Sequence, residues 1–173
     1  FAAGEADFLI GTQMIAKGLN FPNVTLSAVV DADMSLYTGD FRSAERTFSL
    51  ITQVAGRAGR AEKPGFAVIQ TLAPQNDVIE AAAAQDYWAF YENEIALRRA
   101  MNQPPFCRMV LLTLSSPIEN DARQGARRLA ARMQALLAGG YEDLRADLLG
   151  PAEAPIFKLN NRYRYTLTLR CQD

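Results

Sequence analysis

The run Gln53-Val54-Ala55-Gly56-Arg57-Ala58-Gly59-Arg60 closes a helix-forming stretch between two apolar, β-rich segments. Before it, residues 24–30 read VTLSAVV and end at Asp31-Ala32-Asp33; after it, Lys63-Pro64-Gly65 turns the chain into residues 66–71. A near-continuous apolar run such as 24–30 suits a parallel strand buried on both faces. Ser43 reads as the N-cap of a helix through residue 58, with Phe48, Ile51 and Val54 or Ala55 as its inner stripe. Residues 8–10, Phe-Leu-Ile, form a short apolar run ending at Gly11, read as a strand feeding a loop. Strand, loop, strand, helix, strand is the alternation of an α/β sheet.

The same run carries chemistry. At about 100° per residue, Gln53, Arg57 and Arg60 point the same way on a helix. Gly56 and Gly59 leave room for a ligand or a backbone to come close. Two permanently charged guanidinium groups beside such an opening suit a phosphate chain. The pattern also fits a solvated arginine face on a surface helix.

Composition narrows the classes. The chain has 173 residues, 49% of them hydrophobic, enough for one or two domains with real cores. The formal net charge is −1, so the whole is not a basic nucleic-acid binder. The charge is uneven: residues 73–105 hold two arginines against five acids (−3), and residues 106–173 hold ten Lys and Arg against seven acids (+3). There is no histidine, and Cys107 and Cys171 stand far apart, which excludes a His-based triad or a zinc finger within the chain. Two lone thiols fit a reducing cytosol. No apolar run approaches a membrane span, and no signal-peptide pattern opens the sequence. The opening Phe1-Ala2-Ala3-Gly4-Glu5 lacks an initiator Met and leads straight into the first apolar run, so the chain reads as a piece of something longer.

Three segments are expected: residues 1–72, a helical linker over 73–105, and residues 106–173. Ala73-Pro74 marks the first boundary. Residues 76–85 and 87–101 read as helices, the second with Trp88, Tyr91 and Ile95 in its stripes and stopped by Pro104-Pro105. Those aromatics suit core or interdomain packing better than base stacking. Residues 109–114 form a strand and 121–137 an amphipathic helix, with Ala126, Leu129, Ala130, Met133 and Leu136 or Leu137 inward and Arg123, Arg127, Arg128 and Arg132 outward. Residues 144–149 read as a short strand, 151–161 as a long loop, and 163–169 as a strand alternating Tyr163, Tyr165, Leu167 and Leu169 against Arg164, Thr166, Thr168 and Arg170. This β-α-β-β order is that of a split βαβ sandwich with its last sheet edge unfinished.

Gly11-Thr12-Gln13-Met14-Ile15-Ala16-Lys17-Gly18-Leu19-Asn20-Phe21-Pro22 is a loop after a strand, and together with the 53–60 run it resembles motifs V and VI of superfamily 2 helicases. With the DAD and DFRSAER segments, these strings are similar to the PriA family of primosomal replication-restart helicases over residues 8–71. The likeness continues through Arg98-Arg99, Pro104-Pro105-Phe106 and Leu149-Gly150-Pro151 to Arg162-Tyr163-Arg164-Tyr165. The resemblance implies a partial RecA-like helicase lobe 2 (a parallel sheet with helices), the helical linker, and an incomplete α+β C-terminal domain of the ribosomal-protein-S10 type.

The resemblance also implies roles. Arg57 and Arg60 would act as arginine fingers on the β/γ-phosphates of ATP, with Gln53, Gly18 and Asn20 at the nucleotide. Thr12 and Gln13 would hold DNA phosphates without reading sequence. Lys17 would add a phosphate contact or be solvated. Asn20 departs from the family, which often has Asp there, and is assigned no catalysis. Lys158, Arg162, Arg164 and Arg170, interleaved with Tyr163 and Tyr165, would contact DNA, the tyrosines by stacking or else as core. ATP and Mg2+ would serve the full-length protein, and structural zinc would sit outside this chain. Partners would be forked and single-stranded DNA, single-strand-binding protein and other primosome proteins. The setting would be the bacterial cytoplasm, at replication forks in the nucleoid. Neither GxxxxGK[ST] nor a DExH-type box occurs in the sequence, so the chain alone would not turn over ATP. Alternatives are a free-standing S10-like interaction module, with the arginine helix structural, or another superfamily 2 repair helicase.

Overall fold

The structure, a computed structural model, describes residues 1, 3–16, 21, 23–58, 64–141 and 143–172. It divides into two compact units, Phe1–Glu94 and Ile95–Asp173.

In the first unit β1 (Leu26–Val29) and β2 (Phe66–Ile69) pair in parallel, Leu26 opposite Phe66 and Val29 opposite Ile69. Between them lie a short helix α1 (Asp33–Leu36) and the longer α2 (Ser43–Ala55). The α/β expectation holds, with local corrections. Residues 8–10 form no strand: no ladder partner exists for them among the described residues, and Phe8 and Ile10 are 82% and 92% exposed. Nor is β1 buried on both faces. Val29 is buried while Leu26 is 57% exposed, because α2 covers one side of the pair. Ser43 is the first residue of α2 rather than its cap. Its hydroxyl is already given to the Asp40 carbonyl at 2.6 Å, and Arg42 holds the cap position.

Residues 73–94 share the core of this unit. Helix α3 (Asp77–Ala83) packs on α2, and α4 (Tyr87–Ala100) contributes Phe90. Phe48, Ile51, Ile79, Ala81, Ala82 and Phe90 are buried together, the Phe48 and Phe90 rings stacked at 4.3 Å. Asn76 caps α3 by accepting the Val78 N–H at 3.0 Å. Trp88 and Tyr91, expected in core or interdomain packing, are 69% and 42% exposed, so they are not core, and they touch each other and Tyr87. The inward position is Phe90, which the stripe reading missed by one step of the helical wheel.

The second unit is an antiparallel sheet in the order β3-β5-β4, with β3 Arg108–Ser116, β4 Ala146–Leu159 and β5 Arg162–Cys171, crossed on one face by α5 (Glu119–Gly139). Ala122, Ala126 and Ala130 are the buried positions of α5, and these small side chains let the helix sit close to the sheet. They meet Tyr165 of β5, with Leu114, Phe157 and Tyr163 packed against the cluster. The β-α-β-β order is as expected. The long loop over 151–161 is not: β4 runs through it to Leu159. Pro151 and Pro155 misled the reading. A proline cannot donate to a ladder, but β4 is an edge strand, and two register shifts against β5 absorb the irregularity.

Candidate functional site

Thr12 opens a 3-10 turn, Gln13–Ala16. Its carbonyl accepts the Ile15 N–H at 3.0 Å and its hydroxyl lies 3.5 Å from the Met14 N–H, so it braces the turn that follows. Gln13 is exposed. This turn packs beside α2, so two segments some forty residues apart in sequence are brought together within the first unit.

Helix α2 stops at Ala55, short of the expected residue 58. Gly56 is the C-cap, its N–H bonded to the Thr52 carbonyl, and the Arg57 N–H turns back to the Val54 carbonyl at 3.0 Å. A three-residue closure of this kind tightens the last turn and ends the helical phase. Arg57 therefore lies beyond the last residue of the helix that carries Gln53. The Gln53 amide folds back to the Ser49 hydroxyl at 3.1 Å. Arg57 is half-buried. Among the described residues, a Cβ built on Gly56 would meet the Thr52 and Gln53 carbonyls of its own helix, at 3.3 and 3.9 Å. Lys17, Gly18, Asn20 and Arg60 lie outside the described residues.

Upstream of α2 is a buried polar network that the motifs did not point to. Asp33, the first residue of α1, accepts the Thr71 hydroxyl at 2.9 Å and the Leu72 N–H at 2.8 Å. Ser35 lies 2.7 Å from the Thr47 hydroxyl of α2, and Thr47 is fully buried. The DAD string was visible in the sequence, but nothing there pairs it with residues 71–72.

In the second unit Tyr165 and Leu167 are core, and the Phe157 ring meets Tyr165 edge-on at 5.6 Å. Stacking of bases on Tyr165 is thereby ruled out, and Tyr163 is partly buried on the same face. The strand's period of two puts Arg162, Arg164, Thr166, Thr168 and Arg170 on the face away from α5. Arg162 is held by β3, its Nε donating to the Ser115 hydroxyl at 3.1 Å and a terminal nitrogen to the Ser115 carbonyl at 2.8 Å. Arg164 reaches the Ile156 carbonyl at 3.5 Å, and Arg170 the Met101 carbonyl at 3.1 Å. Lys158 lies 4.7 Å over the Tyr163 ring, its ammonium 3.4 Å from the phenol oxygen. Among the described residues no cluster of His, Cys, Asp or Glu has a metal-binding arrangement, and no helix is long and apolar enough to cross a membrane.

Comparison with known proteins completes the picture. Residues 1–62 match the family model for the helicase conserved C-terminal domain, and residues 99–173 match that for the primosomal protein N C-terminal domain. The sequence is 45% identical over 170 residues to the replication restart protein PriA of Bacillus subtilis, covering 98% of this chain. The chain belongs to the PriA family. It is also 43% identical over 173 residues to the PriA of Chlamydia muridarum, and 40% identical over 167 residues to that of Haemophilus influenzae. It spans only about a fifth of the length of these relatives, 20% and 22% for the first two. The first unit of this PriA-family chain thus holds part of a RecA-like second helicase lobe, and Thr12, Gln13, Gln53 and Arg57 fall within the matched segment.

Proposed function

We propose that this chain is part of an ATP-dependent 3′→5′ DNA helicase that remodels stalled replication forks and starts primosome assembly. What supports this reading most is the meeting of the 3-10 turn carrying Gln13 with α2, just beyond whose last residue Arg57 stands. A loop that grips DNA phosphates and a helix end that reaches nucleotide phosphates must touch if hydrolysis is to move DNA. Arg57 would stabilise charge on the transferring phosphoryl group, with Arg60 as a second finger, and Gln53, Gly18 and Asn20 near the nucleotide. Thr12, Gln13 and Lys17 would hold the DNA backbone. ATP is the substrate, and Mg2+ would neutralise its phosphates on residues of the full-length protein. Zinc belongs to a segment outside this chain. The chain by itself is catalytically silent, since its sequence carries no phosphate-cradling GxxxxGK[ST] loop. The second unit would meet single-stranded and forked DNA through Lys158, Arg162, Arg164 and Arg170, and single-strand-binding and other primosome proteins. The setting is the bacterial cytoplasm, at forks in the nucleoid.

Arg57→Ala in the full-length protein tests this. DNA-stimulated ATP hydrolysis should fall by roughly 10³-fold or more, the scale of a lost arginine finger, with DNA affinity retained. Near-normal turnover overturns the assignment.

A further inference from the structure

The loop between β1 and α2 and the first half of α2 are fastened by polar groups as well as by the apolar contacts of Ala32, Leu36, Ala44 and Phe48. Ser35 donates its hydroxyl hydrogen to the Ala32 carbonyl at 3.0 Å. A serine hydroxyl has one hydrogen, so in the 2.7 Å contact between Ser35 and Thr47 the threonine is the donor. The Ala32 N–H in turn donates to the Gln70 carbonyl at 3.0 Å, just beyond β2. Beside it the Asp33 carboxylate takes the Thr71 hydroxyl and the Leu72 N–H. Hydrogen bonds therefore tie Thr47 of α2 through Ser35 to the backbone at Ala32, and this backbone and the adjoining Asp33 are tied in turn to residues 70–72 just beyond β2. Asp33 is 9% exposed and Thr47 0%.

The apolar contacts of α2 cannot do the same job. Phe48, Ile51 and Val54 decide which face of the helix turns inward, but hydrophobic burial is non-directional and tolerates small slides along the axis. A hydrogen bond does not. A slide of one residue, about 1.5 Å, would lengthen the 2.7 Å Thr47–Ser35 contact to about 3.1 Å or more and pull it off line, weakening it. Arg57 follows the Gly56 cap of the same helix. We infer that Thr47, Ser35 and Asp33 are positioning residues: they fix α2 along its axis, so that Arg57 arrives in register with the phosphates bound at the cleft. The inference rests on the proposed role of Arg57. It adds a distinct claim, that residues far from the nucleotide set the efficiency of the finger.

The test is steady-state ATPase kinetics of the full-length protein, with saturating single-stranded DNA. Thr47→Val keeps the side-chain shape and removes the donor; Thr47→Ser keeps the donor and removes a methyl. Thr47→Val should lower kcat about 10- to 100-fold, the scale of a misplacement near 1 Å, and leave KM for ATP within about twofold. Thr47→Ser should restore kcat. If the hydroxyl only helps folding, kcat will instead track the thermal midpoint across both variants, and the positioning role falls. Ser35→Ala removes the acceptor from the other side and is read in the same way if Thr47→Val does not fold. Arg57→Ala is run in parallel. Lost turnover there with unchanged kcat in Thr47→Val overturns the positioning role alone, whereas retained turnover in Arg57→Ala overturns both readings.

Discussion

Tyr165 faces Ala122 and Ala126 of α5 and has the Phe157 ring against its side, with 7% of its surface left to solvent. Its contribution is therefore packing. Truncating a buried aromatic removes its transfer free energy and leaves a cavity that the alanine face of α5 cannot fill. Tyr165→Ala should cost the second unit about 3–5 kcal/mol, read by urea unfolding followed by circular dichroism. Tyr163, only partly buried, should cost clearly less on the same substitution. Equal losses would mean that the two rings share one environment. The alternation of 163–169 revealed that these residues face one way, but not which face α5 covers. Both faces of β5 carry side chains long enough to reach a ligand, so only the buried alanines opposite Tyr165 decide the matter.

At the scale of elements, the long strand β4 shows both the reach and the limit of sequence reading. Gly150 adopts φ +101°, and a Cβ there would stand 2.8 Å from the Thr166 carbonyl of β5 and 3.2 Å from the Ala152 nitrogen. A side chain would be strained in backbone and in space at once. Gly150→Ala should destabilise the second unit by about 1–3 kcal/mol, seen as a lower urea midpoint with the slope of the transition kept. An unchanged midpoint would show that β4 has another route past this point. The glycine, proline and bulge signals were all legible in the sequence, yet they spelled a loop because turns and edge-strand irregularities use the same residues. Pairing with β5 is what separates the two. Elements with strong local periodicity, α2, α3, α5, β3 and β5, are legible in type from the sequence, and so is the parallel character of the first sheet, though not which strands pair in it. The helix end at Ala55 is not legible, because Gly56 and Gly59 fit both a helix lined with small residues and a C-cap. The Asp33–Thr71 bond was invisible for a simpler reason: it links positions thirty-eight residues apart.

At the scale of the whole molecule, the near-zero net charge conceals two opposite halves. The first unit carries six Lys and Arg against twelve Asp and Glu, a net of −6, and the second carries twelve against seven, a net of +5. A polyanion entering this field is drawn to the second unit and repelled by the first, and the counterions it sheds make the attraction salt-dependent. Within the second unit the cations are not equivalent. Arg162 already gives two hydrogen bonds to Ser115, whereas Arg164 reaches the Ile156 carbonyl only at 3.5 Å, the outer limit for such contacts, and the Lys158 ammonium lies over the Tyr163 ring with a long 3.4 Å contact to its hydroxyl. Lys158 and Arg164 can therefore turn to a phosphate at little cost, while Arg162 must first leave its partners. Binding of the chain to a fluorescent oligothymidylate should weaken linearly in log–log form as salt rises. Lys158→Gln and Arg164→Gln should each reduce that slope by roughly 0.7, the single-strand value for one phosphate contact. Arg162→Gln should reduce the slope less and lower the urea midpoint instead, because it removes a cross-strand tie. A flat salt response of the unsubstituted chain at low ionic strength would make the basic strand a solvated face.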